Sequence, residues 1–291
     1  MHMADDIQNF LTQHRPVVLL STLPERVKSS FLFFLKKLRA PIYAEGTSGF
    51  RGHPDLKELL ISSGEKMVAY LLDNGYCDSV FRLGGVPTLR LWRDLEDRRV
   101  DTPVLSIGYN HYTGLSREVI HFSDLDDLSR IEVEAYPPLA AKAIEQDQIF
   151  YSRMMSLFQK YPHAEPALVH TLSKKLGHSS VYLGNSLPIR EWDMAADMNH
   201  RPLRVVGNRG VNGIDGQVST FLGWSKENEE NWCLIGDLTA LYDIAALWIT
   251  DQLSPRKLRI VVINNKGGMI FRRVFEKEIY LNRHNINFAS W

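Results

Sequence analysis

The chain has 291 residues, enough for two ordinary domains with cores of their own. Its 34 Lys and Arg are matched by 34 Asp and Glu, which leaves no basic surplus to draw it to nucleic acid or an anionic membrane. No stretch is apolar for the length of a membrane span, and the opening MHMADDIQNF has neither the basic start nor the apolar core of a signal peptide. The only cysteines, Cys77 and Cys233, lie far apart, the second in an apolar run. Buried free thiols in a reducing cytoplasm are therefore expected.

In the first half, apolar runs alternate with helical segments. The runs are Pro16-Leu20, Pro41-Ala44, Ser79-Leu83 and Val104-Ile107, and a helix is expected over Val27-Leu38 with a second before Ser79. Alternation of this kind predicts a parallel sheet wrapped by helices. Leu83-Gly84-Gly85-Val86-Pro87 lacks the spacing of a dinucleotide fingerprint, and Pro87 removes a backbone donor, so it reads as a tight strand-to-helix turn. Thr88 to Trp92 then opens a helix, where Arg90 faces either solvent or whatever lies above the sheet edge. The small-residue loop Glu45-Gly46-Thr47-Ser48-Gly49 admits another chain or a ligand, or is simply a turn.

The acidic stretch from Asp124 to Arg130 and the stiff Pro137-Pro138 put a boundary near residue 138. Residues 1–138 are expected to form one domain, 139–163 a connecting helix with apolar positions at Ile149, Met154, Leu157 and Phe158, and 164–291 a second domain. Glu165-Pro166 begins a helix, with proline where its missing N–H costs nothing. The strand Ser180-Leu183 runs into Gly184-Asn185-Ser186-Leu187-Pro188-Ile189-Arg190, which sets an amide, a hydroxyl and a guanidinium at one sheet edge, suited to a carboxylate or phosphate. A second junction, Leu203-Gly207, leads into Asn208-Arg209-Gly210-Val211-Asn212-Gly213-Ile214-Asp215-Gly216, where glycines permit close approach of backbone to ligand and Arg209 adds a second fork.

From Cys233 the chain reads as a βαβ unit: one apolar run ending in Gly236-Asp237, an amphipathic segment of helix length, and a second run ending in Asn264-Asn265 and Gly267-Gly268. Carboxylate, amide and freed carbonyl oxygens beyond two parallel strands are hard ligands of the kind Mg²⁺ takes together with phosphate oxygens. A diphosphate held through magnesium is the first expectation. Two unrelated strand-ending turns would leave the same residues.

The Gly-Asp pair followed by Asn-Asn resembles the magnesium-diphosphate motif of thiamine-diphosphate enzymes. The Gly184 to Arg190, Asn208 to Gly216 and Gly236 to Asp243 segments together resemble one family, the 2-succinyl-5-enolpyruvyl-6-hydroxy-3-cyclohexene-1-carboxylate synthases (MenD) of menaquinone biosynthesis. The resemblance implies an α/β fold of two Rossmann-like domains of the thiamine-diphosphate-enzyme type, a central domain and a diphosphate-binding domain that stops short at its C-terminal end. It makes Asp237, Asn265 and the carbonyl of Gly267 ligands of Mg²⁺ or Mn²⁺. It places Gly236, Asp237, Leu238 and Thr239 on the diphosphate, Ile214 as the wedge that bends the cofactor, and Met269, Ile270 and Phe271 as the wall.

Asn185, Ser186, Arg190, Arg209 and Arg90 are the implied catalytic residues, the arginines pairing with the carboxylates of 2-oxoglutarate and isochorismate. Leu89 departs from the family, where a basic residue often precedes that last arginine. The pyrimidine-binding domain, which carries the activating glutamate, is implied as a partner from the same or a neighbouring subunit of a homo-oligomer, and the present chain alone is expected to be inactive. Another thiamine-dependent decarboxylase or carboligase, or a non-catalytic fragment binding magnesium diphosphate, are the competing expectations.

Overall fold

The computed structural model describes residues 3–109, 111–124, 140–199, 202–210, 212–272 and 274–288. Most of the acidic stretch, Pro137-Pro138, Val211 and the last three residues lie outside the described residues. Among the described residues, nine strands make two wholly parallel sheets. The first contains β1 (Pro16–Leu20), β2 (Ile42–Ala44), β3 (Ser79–Leu83), β4 (Val104–Ile107) and β5 (Ile120–Phe122) in the order β2-β1-β3-β4-β5. The second contains β6 (Ser180–Leu183), β7 (Arg204–Val206), β8 (Glu230–Gly236) and β9 (Lys257–Ile263) in the order β7-β6-β8-β9.

Helices cover both faces of each sheet. Strand β1 is buried along its whole length. Its Val18 and Leu20 pack with Ile7 and Phe10 of α1 (Met3–Gln13) and Phe31 and Leu35 of α2 (Lys28–Leu38). The alternate Val17 and Leu19 pack with Val68 and Leu71 of α3 (Glu65–Asp73) and Trp92 and Leu95 of α4 (Arg90–Asp97). Burial on two sides is why these strands read as unbroken apolar runs. In the second sheet, α6 (Glu165–Ser173) and α7 (Leu187–Ala195) cover one face, while α8 (Gln217–Trp224) and α9 (Asp237–Tyr242) cover the other.

Three elements differ from expectation. Strand β5 has half-exposed residues and too few of them to stand out. The connector α5 (Ala140–Lys160) does not bury its apolar positions: Ile149 and Leu157 are exposed. It is held instead by Asp147, fully buried, which accepts hydrogen bonds from Ser62 N (2.8 Å), Ser63 N (3.0 Å) and Ser63 Oγ (2.5 Å). The crossover from β8 to β9 begins as the six-residue α9 and continues as a 3-10 stretch, Ile244–Gln252. Asp243 breaks the α-helix because its carboxylate is engaged elsewhere, accepting from Ser219 N (2.7 Å) and Ser219 Oγ (2.9 Å) of α8.

The two sheets meet through α7. Gly46 of the small-residue loop donates its N–H to Asp193 Oδ1 (2.6 Å), and Thr88 Oγ1 donates to Asp193 Oδ2 (3.2 Å). A Cβ on Gly46 would lie 2.6 Å from Trp192 Cδ1, so only glycine fits there. Thr88 N also donates to Glu45 Oε1, and Ser21 Oγ donates to Glu45 Oε2 (2.5 Å). The loop that was open to a ligand or another chain thus receives this chain's own second half.

Burial pushes the Asp193 carboxyl up to about 7, and the negative charge of Glu45 adds to the rise. The native state therefore keeps a proton that the unfolded chain, with aspartate near about 3.9, has released. The contribution of Asp193 to stability is full below that value and is lost as pH rises through about 7. Thermal unfolding between about pH 5 and about pH 8 should show Asp193→Asn gaining on the parent as pH rises. Parallel midpoint curves for the two proteins would reject the shared proton.

Candidate active site

In an open parallel sheet the ligand crevice opens where neighbouring strands run off in opposite directions. In the second sheet that point lies between β6 and β8, since β7 flanks one and β9 the other. Beyond β6 come Asn185 and Ser186, beyond β8 Asp237, and beyond β9 Asn265. A cavity of about 380 Å³ lies there, with Ser186, Arg190, Ile214, Asp237, Asn265 and Gly267 among its lining residues. A larger one, about 810 Å³, lies between the two sheets beside Arg51, Trp192 and Arg204, but holds none of the expected site residues.

Asp237 is almost fully buried and already placed: its Oδ1 accepts from Leu238 N (2.7 Å) and its Oδ2 from Gly267 N (2.9 Å). His284 Nε2 lies 3.1 Å from Oδ2 without the alignment of a hydrogen bond. Its Nδ1 accepts from Ile286 N (3.2 Å). The 264–268 turn is shaped by Asn264 Oδ1, which accepts from Lys266 N (3.2 Å), and by Gly267 at φ +134°, where a Cβ would meet Leu281 O at 2.5 Å. Asn265 turns its Nδ2 to Glu165, at 3.1 Å and 3.3 Å from the two carboxylate oxygens, and its own Oδ1 is buried without a hydrogen-bond partner.

A carboxylate, an orphaned amide oxygen and a glycine carbonyl on one cavity fit a hard cation. Clusters of three or more His, Cys, Asp or Glu able to hold a metal are absent among the described residues, so the set here rests on one carboxylate.

The other side of the cavity is braced from the glycine loop. Asn185 Nδ2 (2.8 Å) and Gln217 Nε2 (3.1 Å) both donate to Gly213 O, fixing the peptide that presents Ile214. Gln217 Oε1 in turn accepts from Tyr182 OH (2.9 Å). Arg209 Nη1 donates to Asn185 Oδ1 (2.6 Å), its Nε is buried without a partner, and burial lowers its pKa, with the charge of Arg190 acting in the same direction. Arg190 Nη1 donates to Ser186 O (2.6 Å). Arg209 is half-buried and Arg190 exposed, and the charge of Glu45 partly offsets the effect of burial on Arg209.

No family model matches the chain. It is 51% identical over 98% of its length to 2-succinyl-5-enolpyruvyl-6-hydroxy-3-cyclohexene-1-carboxylate synthase of Bdellovibrio bacteriovorus, covering 54% of that protein. The synthase of the same name from Akkermansia muciniphila is 34% identical over 88% of the chain, and 47% of it is covered. The resemblance to this synthase family holds along almost the whole chain. The chain spans about half the length of the curated relatives it matches. Among solved structures, a protein of Mycobacterium smegmatis described as thiamin diphosphate-dependent superimposes with a TM-score of 0.65 at 16% identity, over 99% of this chain and 56% of that one. At that identity the likeness speaks to the fold, an α/β fold of the thiamine-diphosphate-enzyme type.

Of the residues singled out by resemblance to the synthases, the structure gathers Ser186, Arg190, Ile214, Gly236, Asp237, Leu238, Thr239, Asn265, Gly267, Met269, Ile270 and Phe271 around the one cavity. Three catalytic expectations change. Arg209 is not among the cavity's lining residues, its Nη1 being given to Asn185 Oδ1. Arg90 is not brought there: its guanidinium is exposed and its Nε donates to Asp94 Oδ1 (2.8 Å), an i,i+4 pair on the outside of α4. Asn185 does not line the cavity either. It is fully buried and braces Arg209 and Gly213, a positioning role in place of a direct one. The Leu238 N–H, expected on a diphosphate, is taken by Asp237 Oδ1. Sequence reasoning missed Gln217, Glu165 and His284; Glu165 was read only as the start of a helix, and nothing in their local patterns marks the other two.

Proposed function

We propose that this cavity binds the diphosphate end of thiamine diphosphate through Mg²⁺, or Mn²⁺ in its place. We further propose that in the whole enzyme it serves a transferase of menaquinone biosynthesis that decarboxylates 2-oxoglutarate and adds the remaining unit to isochorismate. The observation that carries this reading is the orphaned Asn265 Oδ1 beside Asp237 and Gly267 at the crevice of the second sheet. The names and identities of the relatives support the reaction class.

When bound, thiamine diphosphate supplies the electron sink for decarboxylation. Asp237, Asn265 and the Gly267 carbonyl hold the cation, and Thr239, buried at the same edge, suits a phosphate oxygen. Ile214, fixed by the two hydrogen bonds to Gly213 O, is the apolar support against which the cofactor bends. Met269, Ile270 and Phe271 exclude water. Arg190, on the cavity wall, and Arg209, which stands behind it on Asn185, take the substrate carboxylates, and Ser186 on the wall is a further donor.

Phe271 is exposed beside this cavity, and Trp248, Ile279 and Tyr280 are exposed as well. Apolar surface of this kind suits a pyrimidine-binding unit of the same or a neighbouring subunit, closing the open side in a homo-oligomer. Titration calorimetry of the chain with thiamine diphosphate tests the reading. Binding is expected with Mg²⁺ and not in excess EDTA; equal binding in both would overturn it.

A further inference from the structure

Asn265 has an amide whose two ends are chemically different, and a cation accepts only one of them. The oxygen is a hard ligand; the NH₂ group, facing a cation, would repel it. The two ends are nearly equal in size, so packing alone does not choose between them. Asn265 offers its Nδ2 to both oxygens of Glu165, at 3.1 Å and 3.3 Å. A carboxylate only accepts, so it selects the NH₂ end and leaves Oδ1 buried and unpartnered on a residue that lines the cavity.

Glu165 is itself fixed. It stands first in α6, on an extended Ala164 and followed by Pro166, where the chain has little freedom. Its other neighbour is Glu191 of α7, the residue after Arg190. Burial pushes the Glu191 carboxyl up to about 8, with the charge of Glu165 and a hydrogen bond between them adding to the rise. Glu165 thus lies between Glu191 and the Asn265 amide that it accepts from.

We propose that Glu165 is a positioning residue for the cation site: it sets the amide orientation of Asn265 through two hydrogen bonds and so presents Oδ1 as a ligand. This rests on the cation reading of the cavity. Removing an outer partner of a ligand typically costs 10–100-fold in metal affinity.

The test uses the full chain, Mn²⁺ as probe and thiamine diphosphate as the phosphate partner, with free Mn²⁺ read by electron paramagnetic resonance. Glu165→Gln can turn either an oxygen or an NH₂ toward Asn265 and no longer selects its orientation. Mn²⁺ affinity should fall about 10–100-fold, and the Asn265 side-chain NH₂ resonances should lose the downfield position of a carboxylate-bonded amide. Asp237→Ala serves as the reference for loss of the site. If the parent binds, Asp237→Ala does not, and Glu165→Gln binds as the parent does, the positioning role is overturned while the cation reading stands. If the parent binds no Mn²⁺, both are overturned. A merely structural Glu165 would lower the thermal midpoint while leaving the affinity of the folded fraction and the Asn265 resonances unchanged, which would also overturn the proposal.

Discussion

Asp237→Ala should abolish Mg²⁺-dependent binding of thiamine diphosphate by this chain. The carboxylate does two things at once in the structure. It offers the one charged oxygen ligand in the proposed cation set, and it pins the 266–268 turn by accepting from Gly267 N at 2.9 Å. Alanine removes both, leaving a buried peptide N–H without a partner, which costs about 1–3 kcal/mol by itself. Stability and affinity should therefore fall together. Asp237→Asn separates them in part: the amide oxygen still accepts from Gly267 N while its NH₂ faces the Leu238 N–H, so stability should fall less than in the alanine variant, and the lost charge should weaken cation binding by at least about tenfold, since contacts to a charged group are the stronger ones. Calorimetry with and without Mg²⁺, beside thermal unfolding, reads the two effects. Undiminished binding by Asp237→Ala would reject this residue as the anchor.

Arg209→Lys and Arg190→Lys should each impair the use of 2-oxoglutarate in the whole enzyme, assembled with its pyrimidine-binding unit. Lysine keeps the charge and loses the fork. At Arg209 the fork is already half committed: Nη1 is spent on Asn185 Oδ1, and Nε is buried with no partner. A lysine there must either abandon Asn185, freeing the brace on Gly213, or abandon the substrate. Each charge-assisted contact contributes about 1.5–3 kcal/mol, so kcat/KM should fall by roughly 10–150-fold. The loss at Arg190 should be the smaller, since its side chain is more exposed and lies on its own helix, donating to Ser186 O. Steady-state kinetics with 2-oxoglutarate decides the matter, and unchanged values for both variants would remove the arginines from substrate recognition.

The sheets were legible because buried parallel strands are apolar without interruption and end in residues with a different job. Leu183 into Gly184-Asn185, and Ile235-Gly236 into Asp237, announce both a strand and its carboxyl end. Strand β5 carries no such mark, being short and half exposed. The cavity wall was legible for the same reason: each member follows a strand terminus. Partners that act on the ligands from a distance were not legible. Glu165 is one hundred positions from Asn265, and only the folding of α6 against the end of β9 brings them together. Arg90 failed in the other direction: its place at a helix start was read correctly, but Asp94 one turn on gives its guanidinium a partner on the solvent side. Asn185 stands at the strand end where the pattern puts it, and its amide faces its own loop, because a strand-end amide can do so as readily as face a ligand.

Helix α7 has a grip at each end. Its N-terminal turn carries Ser186 as cap and Arg190, at the cavity. One turn later Asp193 is fastened to Gly46 and Thr88 of the other half of the chain. At about 1.5 Å of rise per residue, only about 4.5 Å of rigid helix separates the arginine from the fastening. Such a short arm transmits a tilt almost undiminished. The first half of the molecule, with no ligating residue of the proposed cation set in its own sheet, thereby has hold of the helix that carries a proposed anion-binding side chain of the second. A hinge movement between the halves would be felt at Arg190 before it reached Asp237, which hangs from a different strand.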